Sequence, residues 1–218
     1  IQSDETVTIQ VPVSEMGQGS MTGLAQFVAD ELRVDWNRIA VVHAPVDAAH
    51  GGTNAGPYGR FTGGSLGIRL FAPGLQQAGA NARQLLILAA AQIWAVTPAG
   101  CTADKGFVKE LGGAGRQLSY GTLAATAAGI TLAGNVALNQ YPRIFIGQPV
   151  TRLDIPGKVN GSAQFGIDVF LPGMVFAAVK HCPTLGGTVG AVGSKPAGAL
   201  AVVPVGAMGS SGATGVAV

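Results

Sequence analysis

Along the first forty-odd residues the hydrophobic pattern changes period twice. Val7, Ile9 and Val11 alternate with Thr6, Thr8 and Gln10, the two-residue repeat of a half-buried strand between Glu5 and Val13. The run Glu15-Met16-Gly17-Gln18-Gly19-Ser20 interrupts it as a tight glycine loop. Leu24, Phe27, Val28, Glu31 and Leu32 then recur at helical spacing, which predicts a helix from Met21 to Val34 with Ser20 or Thr22 placed to cap it. A turn at Asp35-Trp36-Asn37 leads into the apolar run Ile39 to His43, a second strand. Strand, glycine loop, helix and strand in this order predict a mixed α/β chain of the α+β class.

Residues 44–67 carry Gly51-Gly52, Gly56-Pro57 and Gly63-Gly64 and read as a long loop, a feature that inside a domain is usually functional or disordered. Leu75, Ala78, Ala82, Leu85, Ala89 and Ile93 mark a long helix from Leu70 to Val96, weakened early by Gly74 and Gly79. A hairpin is expected over 101–117 with its turn at Gly112-Gly113. A short helix should follow from Ser119, its cap, to Ala128. The linker 132–143 has little periodicity, and after it the composition changes. The chain is therefore read as two parts, 1–142 and 143–218. The second is strand-rich, with the apolar run Met174 to Val179, a strand at Leu200 to Val205 and another starting at Val216. That last strand stops where pairing should continue, so the second part is expected to be incomplete and the chain to belong to a longer subunit.

Charged residues make up 11% of the 218, far below the roughly 25% of an average soluble protein. So little charge implies a surface largely covered by other polypeptide, or the neutral polar surface of a secreted or periplasmic protein. A net charge of +2 with no basic run gives no footprint for nucleic acid. The longest apolar stretch, Leu85 to Ala91, falls short of the roughly 20 residues a bilayer requires. No basic n-region precedes Ile1, so no signal peptide is expected. Cys101 and Cys182 lie far apart and match no metal-binding spacing, even with His43, His50 and His181; they are expected as free thiols rather than a bridge.

Two loops carry the candidate chemistry. Gly17 and Gly19 allow close backbone approach to a ligand, the following helix offers free amides, and the Gln18 amide donates and accepts in one plane. Thr62-Gly63-Gly64-Ser65, after Phe61, offers two hydroxyls around a glycine pair just before the long helix. Neither loop is a Walker or Rossmann motif: the first lacks the Lys-Ser/Thr ending and the third glycine. Both also read as ordinary turns. Glu15 reads as a capping or surface carboxylate, His43 and His50 as structural, Asp104, Asp154 and Asp168 as turn residues, and Lys158 as a solvated one. No serine sits in a Gly-x-Ser-x-Gly elbow.

Glu15 to Ser20 with Thr22-Gly23-Leu24-Ala25-Gln26, then Phe61 to Ser65, resemble the N-terminal part of the large subunit of isoquinoline 1-oxidoreductase and related membrane-associated aldehyde dehydrogenases. So do Ile146 to Gly161, Phe165 to Val169 and Leu171 to Met174, in one colinear order. These enzymes belong to the xanthine dehydrogenase and aldehyde oxidase superfamily. The resemblance implies a molybdopterin-binding portion over 1–142, with Gly17, Gln18, Gly19, Ser20, Thr62, Gly63, Gly64 and Ser65 as its cofactor-binding residues. It further implies the start of an α/β hammerhead-like domain over 143–218. The cofactor implied is molybdopterin cytosine dinucleotide with molybdenum, and the reaction is hydroxylation of an aldehyde or N-heteroaromatic carbon with oxygen from water. Implied partners are the remainder of the large subunit, a small subunit with 2Fe-2S clusters and a membrane-bound cytochrome subunit with haem c. The implied location is periplasmic, with membrane association through those partners. The family's Gly-Gly-Phe-Gly loop and its glutamate in Gly-x-Gly-Glu do not occur here, so no catalytic or metal-ligating residue is assigned to this chain. A structural or interface segment without cofactor contact, and a small anion-binding module, are the competing readings.

Overall fold

A computed structural model describes residues 1–45, 62–113, 115–140, 142–206 and 212–218. His50, Gly51-Gly52, Gly56-Pro57 and Phe61 lie outside the described residues. The chain divides into two compact units, Ile1–Ala163 and Gln164–Val218. Residues 143–163, which the sequence pattern groups with the second part, thus pack with the first.

The first unit is built on two parallel strands, β1 (Val7–Val11) and β2 (Ile39–His43), in register from Val7 opposite Ile39 to Val11 opposite His43. On β1 burial alternates as the period predicts, with Val7, Ile9 and Val11 inward. Helix α1 (Ser20–Leu32) connects the strands and buries Leu24, Ala25, Val28, Ala29 and Leu32. Helix α2 (Gly67–Trp94) runs against α1 and buries Ala80, Leu86 and Ala89 to Ala91. Small residues let the two helices approach closely. A Cβ on Gly23 would lie 3.2 Å from Ile68 Cδ1, and one on Gly79 only 2.6 Å from the Val28 carbonyl oxygen. The helices therefore start together near the Gly23–Ile68 contact and remain packed as far as Gly79.

The expected single hairpin is instead a three-stranded antiparallel meander, β3 (Cys101–Asp104), β4 (Phe107–Glu110) and β5 (Gln117–Ser119). Its first turn is Lys105-Gly106, both at positive φ, 50° and 83°. Such a two-residue turn matches the twist of paired strands. Gly112-Gly113 lies in the second connection. Helix α3 (Tyr120–Ala128) follows, and the Ser119 hydroxyl caps it as expected, accepting from the Thr122 amide at 3.3 Å. Residues read as a turn around Lys158 form a short helix, α4 (Ile155–Asn160).

At the far end of α1, Asp30 and Glu31 are 1% and 0% exposed. Asp30 Oδ1 accepts the amides of Ile144 (2.7 Å) and Phe145 (3.1 Å). Glu31 accepts from the Asn139 amide (2.8 Å), Gln76 (3.1 Å), Arg143 (3.0 Å) and Arg83 (3.1 Å). Burial raises the pKa of such a carboxyl, but for Glu31 these four donors outweigh it and hold it below its ordinary value. Gln26 adds bonds to the carbonyls of Phe145 (2.6 Å) and Gln148 (3.2 Å). These contacts are why residues 143–163 belong spatially to the first unit.

The second unit contains an open antiparallel sheet of order β6 (Val179–His181), β8 (Ala213–Ala217), β7 (Val203–Gly206). The run 174–178 is not strand, and Phe176 is exposed. The whole is a mixed α+β chain, and the sheet of its second unit is open rather than closed into a barrel. Among the described residues, no helix is long and apolar enough to cross a membrane.

Candidate functional site

Because β1 and β2 are parallel, the chain leaves both strands at the same edge of the sheet. Helices α1 and α2 are the next described helices after β1 and β2, so the segments that open them are expected to lie near one another. They do. Gln18, Gly19, Ser20 and Gly23 form one side of a cavity of about 570 Å³, and Thr62, Gly63, Gly64 and Ser65 form the other. The Ser14 amide donates to the Thr62 hydroxyl across the two loops at 3.0 Å. Seven of the eight residues assigned from the sequence thus face one space. Gly17 is absent from the wall; its carbonyl accepts from Arg152 at 3.1 Å.

The first loop is held by its own side chains. Gly17 and Gly19 have φ of 103° and 80°, values that side-chain-bearing residues adopt at a cost. The bend they make turns three amides onto the Glu15 carboxylate: Gly17 at 2.8 Å and Gly19 at 2.9 Å on Oε1, and Met21 at 3.0 Å on Oε2. Burial raises the Glu15 pKa, and the amides of Gly19, Met21 and Gly17 more than reverse this, leaving it lowered. The amides expected to hold an external anion therefore already hold an internal one. Glu15 is the capping carboxylate of α1, placed where the helix dipole favours negative charge.

Gln18 is equally engaged. Its Oε1 accepts the Met16 amide at 2.6 Å, and its Nε2 donates to the Ser14 carbonyl at 2.8 Å and the Ser20 hydroxyl at 2.7 Å. Both amide protons are used, so in this state Gln18 fixes the loop and offers no N–H to a ligand. The hydroxyls behave differently. Ser20 and Thr62 accept within the chain, and each keeps its own O–H to donate.

Behind the loop stands a group of charges that local reading assigned to turns and solvent. The Arg152 guanidinium grips Asp154 through Nε (3.0 Å) and Nη2 (2.6 Å), and Nη2 lies 3.5 Å from Glu15 Oε1. Lys158 Nζ joins Asp154 at 2.5 Å. Arg152 holds the Asp154 carboxyl well below the usual range against the effect of burial, and Lys158 adds to this. The Leu153 amide donates to the Thr22 hydroxyl at 3.0 Å, tying the same segment to the first turn of α1. His43 accepts the Glu15 amide through Nε2 at 3.3 Å and is structural, as read. Three charges within seven residues, 152–158, are a marked concentration in so uncharged a chain; that density was the available clue.

A parallel strand pair whose two glycine junctions open on one donor-lined cavity defines a ligand-binding α+β unit. The sequence matches the molybdopterin cofactor-binding domain over residues 1–162, the unit just described, and the chain belongs to that family. It is similar to the beta chain of isoquinoline 1-oxidoreductase from Brevundimonas diminuta, 33% identical over 85% of this chain and 28% of that protein. It is also similar to the membrane-bound aldehyde dehydrogenase (pyrroloquinoline-quinone) of Gluconacetobacter polyoxogenes, 30% identical over 84% of this chain and 23% of that protein. A nicotinate dehydrogenase subunit of Pseudomonas putida is 28% identical over 79% of this chain and 14% of its own length. The chain thus spans between 14% and 28% of these relatives.

The donor set suits the family's cofactor. The cavity walls are hydroxyls, glycine backbone and the apolar side chains of Met16, Leu66 and Ile68, a lining that offers a planar polar group both apolar contact and a few donors. The carboxylate nearest the cavity, Glu15, is 4% exposed and paired with Arg152, so little unpaired negative charge opposes an anionic ligand. Among the described residues, no group of three or more His, Cys, Asp or Glu side chains is arranged to hold a metal ion directly.

Proposed function

We propose that this chain is the cofactor-binding part of a larger molybdenum hydroxylase subunit, oxidising an aldehyde or an N-heteroaromatic substrate. Molybdopterin, carried as its cytosine dinucleotide, supplies when bound the metal centre at which a substrate carbon gains oxygen from water. The chain's own residues bind and orient. Ser20 and Thr62 donate their hydroxyl protons into the cavity, Gly63, Gly64 and Ser65 let the backbone approach the ligand, and Gln18 keeps the facing loop in shape. The working division is a cofactor portion over 1–142 and the beginning of a hammerhead-like portion over 143–218, with 143–163 bracing the first. A small 2Fe-2S subunit, a haem c cytochrome and the remainder of the large subunit are the partners, in a periplasmic complex associated with the membrane through them.

The observation that carries this reading is the convergence of the two glycine junctions on one cavity inside the family-matched region. A free-anion module fits less well, because Glu15 already fills the amide cradle of the first loop. An interface role suits the second unit, where Phe170, Phe176, Leu185 and Leu200 are largely exposed and call for a covering polypeptide. The test compares amide hydrogen exchange of the full chain from hosts that do and do not make molybdopterin. Residues 16–20 and 62–66 should both gain protection with the cofactor, while β3 to β5 should not. Equal exchange at both loops in the two preparations refutes the assignment.

A further inference from the structure

We infer that Arg152 is the positioning residue of the first glycine loop, acting through Glu15 rather than on any ligand. It rests on the cofactor reading only for what the loop is for; the geometry stands without it.

The loop's shape depends on one carboxylate. Gly17, Gly19 and Met21 all donate to Glu15, at 2.8, 2.9 and 3.0 Å, and these are the amides that set the bend and start α1. The amides already favour its ionised form, and a cation beside it fixes where the carboxylate sits. Arg152 Nη2 is that cation at 3.5 Å, and its Nη1 donates to the Gly17 carbonyl at 3.1 Å. The guanidinium also lies under Gly19, where an added Cβ would sit 3.7 Å from Arg152 Cζ. One planar group thus touches the loop's carboxylate, its first glycine carbonyl and its second glycine.

Arg152 is itself fixed from behind. Asp154 receives both Nε and Nη2, and Lys158 Nζ holds the same Asp154 oxygen. Glu15, Arg152, Asp154 and Lys158 together are electrically neutral, so the cluster adds no net field to the cavity. It fixes geometry instead. A lysine has a point charge where arginine has a fork, and it cannot hold Asp154, the Gly17 carbonyl and Glu15 at once.

The experiment uses the full chain, purified from a host without molybdopterin and again from a competent one. Hydrogen exchange at the Gly17, Gly19 and Met21 amides is followed in the wild type and in Arg152→Gln, Arg152→Lys, Glu15→Gln and the Glu15→Gln/Arg152→Gln double variant. Arg152→Gln should speed these three amides by about tenfold or more in the cofactor-free protein, while the α2 amides stay unchanged. Arg152→Lys should recover part of the protection. The double variant should exchange no faster than the faster single, because both substitutions break one linkage. Molybdenum and pterin content from the competent host should fall in the same order. Unchanged exchange in Arg152→Gln, or additive effects in the double variant, overturns the inference. If the cavity does not take the cofactor, the wild type shows no loading-dependent protection, yet Arg152→Gln still frees the three amides.

Discussion

Replacing Gly79 with alanine separates two opposing effects of glycine in α2. Alanine is the better helix former by about 1 kcal/mol. At this position, however, its Cβ would lie 2.6 Å from the Val28 carbonyl oxygen and 3.1 Å from both Val28 Cα and Glu31 Cβ. The nearest atoms are backbone, so no rotamer change relieves the contact, and α1 and α2 must move apart. Overpacking of this kind costs about 1–3 kcal/mol. The net loss is therefore about 1 kcal/mol, a fall in Tm of about 2–4 °C for a chain of this size. Gly74→Ala on the same helix is the control. Nothing lies within 4 Å of a Cβ there. It should raise stability by about 0.5–1 kcal/mol. Thermal melts of the two variants should move in opposite directions, and a matched rise in both would refute the packing argument. Because this contact holds α1 against α2, Gly79→Ala should also retain less molybdenum and pterin than Gly74→Ala.

Further outcomes follow from the same contacts. Glu31→Gln turns an amide towards arginines that now face a buried carboxylate, and should cost about 3 kcal/mol by denaturant titration. Glu15, Glu31 and Asp154 all have lowered folded-state pKa values, so their stabilisation is complete above the ordinary values of 4.5, 4.5 and 3.8 and is lost as pH falls through the folded ones. Stability should thus be flat from neutral pH to about pH 5 and drop below about pH 4, less steeply in Glu31→Gln. Ala95 ends α2 in the left-handed region with φ 54°, so Ala95→Gly should stabilise by about 1 kcal/mol; a destabilised melt would contradict the assigned helix end. Gln18→Ala removes the links to Met16, Ser14 and Ser20, most of them at the surface, and should cost about 1 kcal/mol while speeding exchange at the Met16 amide.

The period of the hydrophobic pattern made the first unit legible, since β1, α1 and β2 lie where alternation and helical spacing put them. The convergence of the two loops could also be anticipated, because both are glycine-rich and both precede helices. What the local pattern lacked was the direction of the strands, and it is the parallel pairing of β1 with β2 that brings the loops to one edge. The meander escaped the pattern because Lys105-Gly106 is a short turn without the paired glycines that draw attention to 112–113. The role of Gln18, unlike that of the capping carboxylate Glu15, was hidden for another reason. A Gly-Gln-Gly loop invites a ligand, and nothing in the sequence says that its donors and amides are satisfied by neighbours two to six residues away.

The scarcity of charge acquires a second meaning from these placements. Composition alone points to hidden surface, yet in the first unit several of the few charges point inward and join segments more than a hundred residues apart. At its start, α1 is held by Arg152 through Glu15 and Gly17, and by the Leu153 amide on Thr22. At its end it is held through Asp30 and Glu31 by Asn139, Arg143, Ile144 and Phe145. The helix that carries the first cavity loop is therefore gripped at both ends by residues 139–154. A boundary at 142/143 cuts through the second grip, between Asn139 and Arg143. The two glycine loops and the later segment belong to one compact unit, Ile1–Ala163, and the cofactor-binding family match runs over the same stretch, from residue 1 to residue 162.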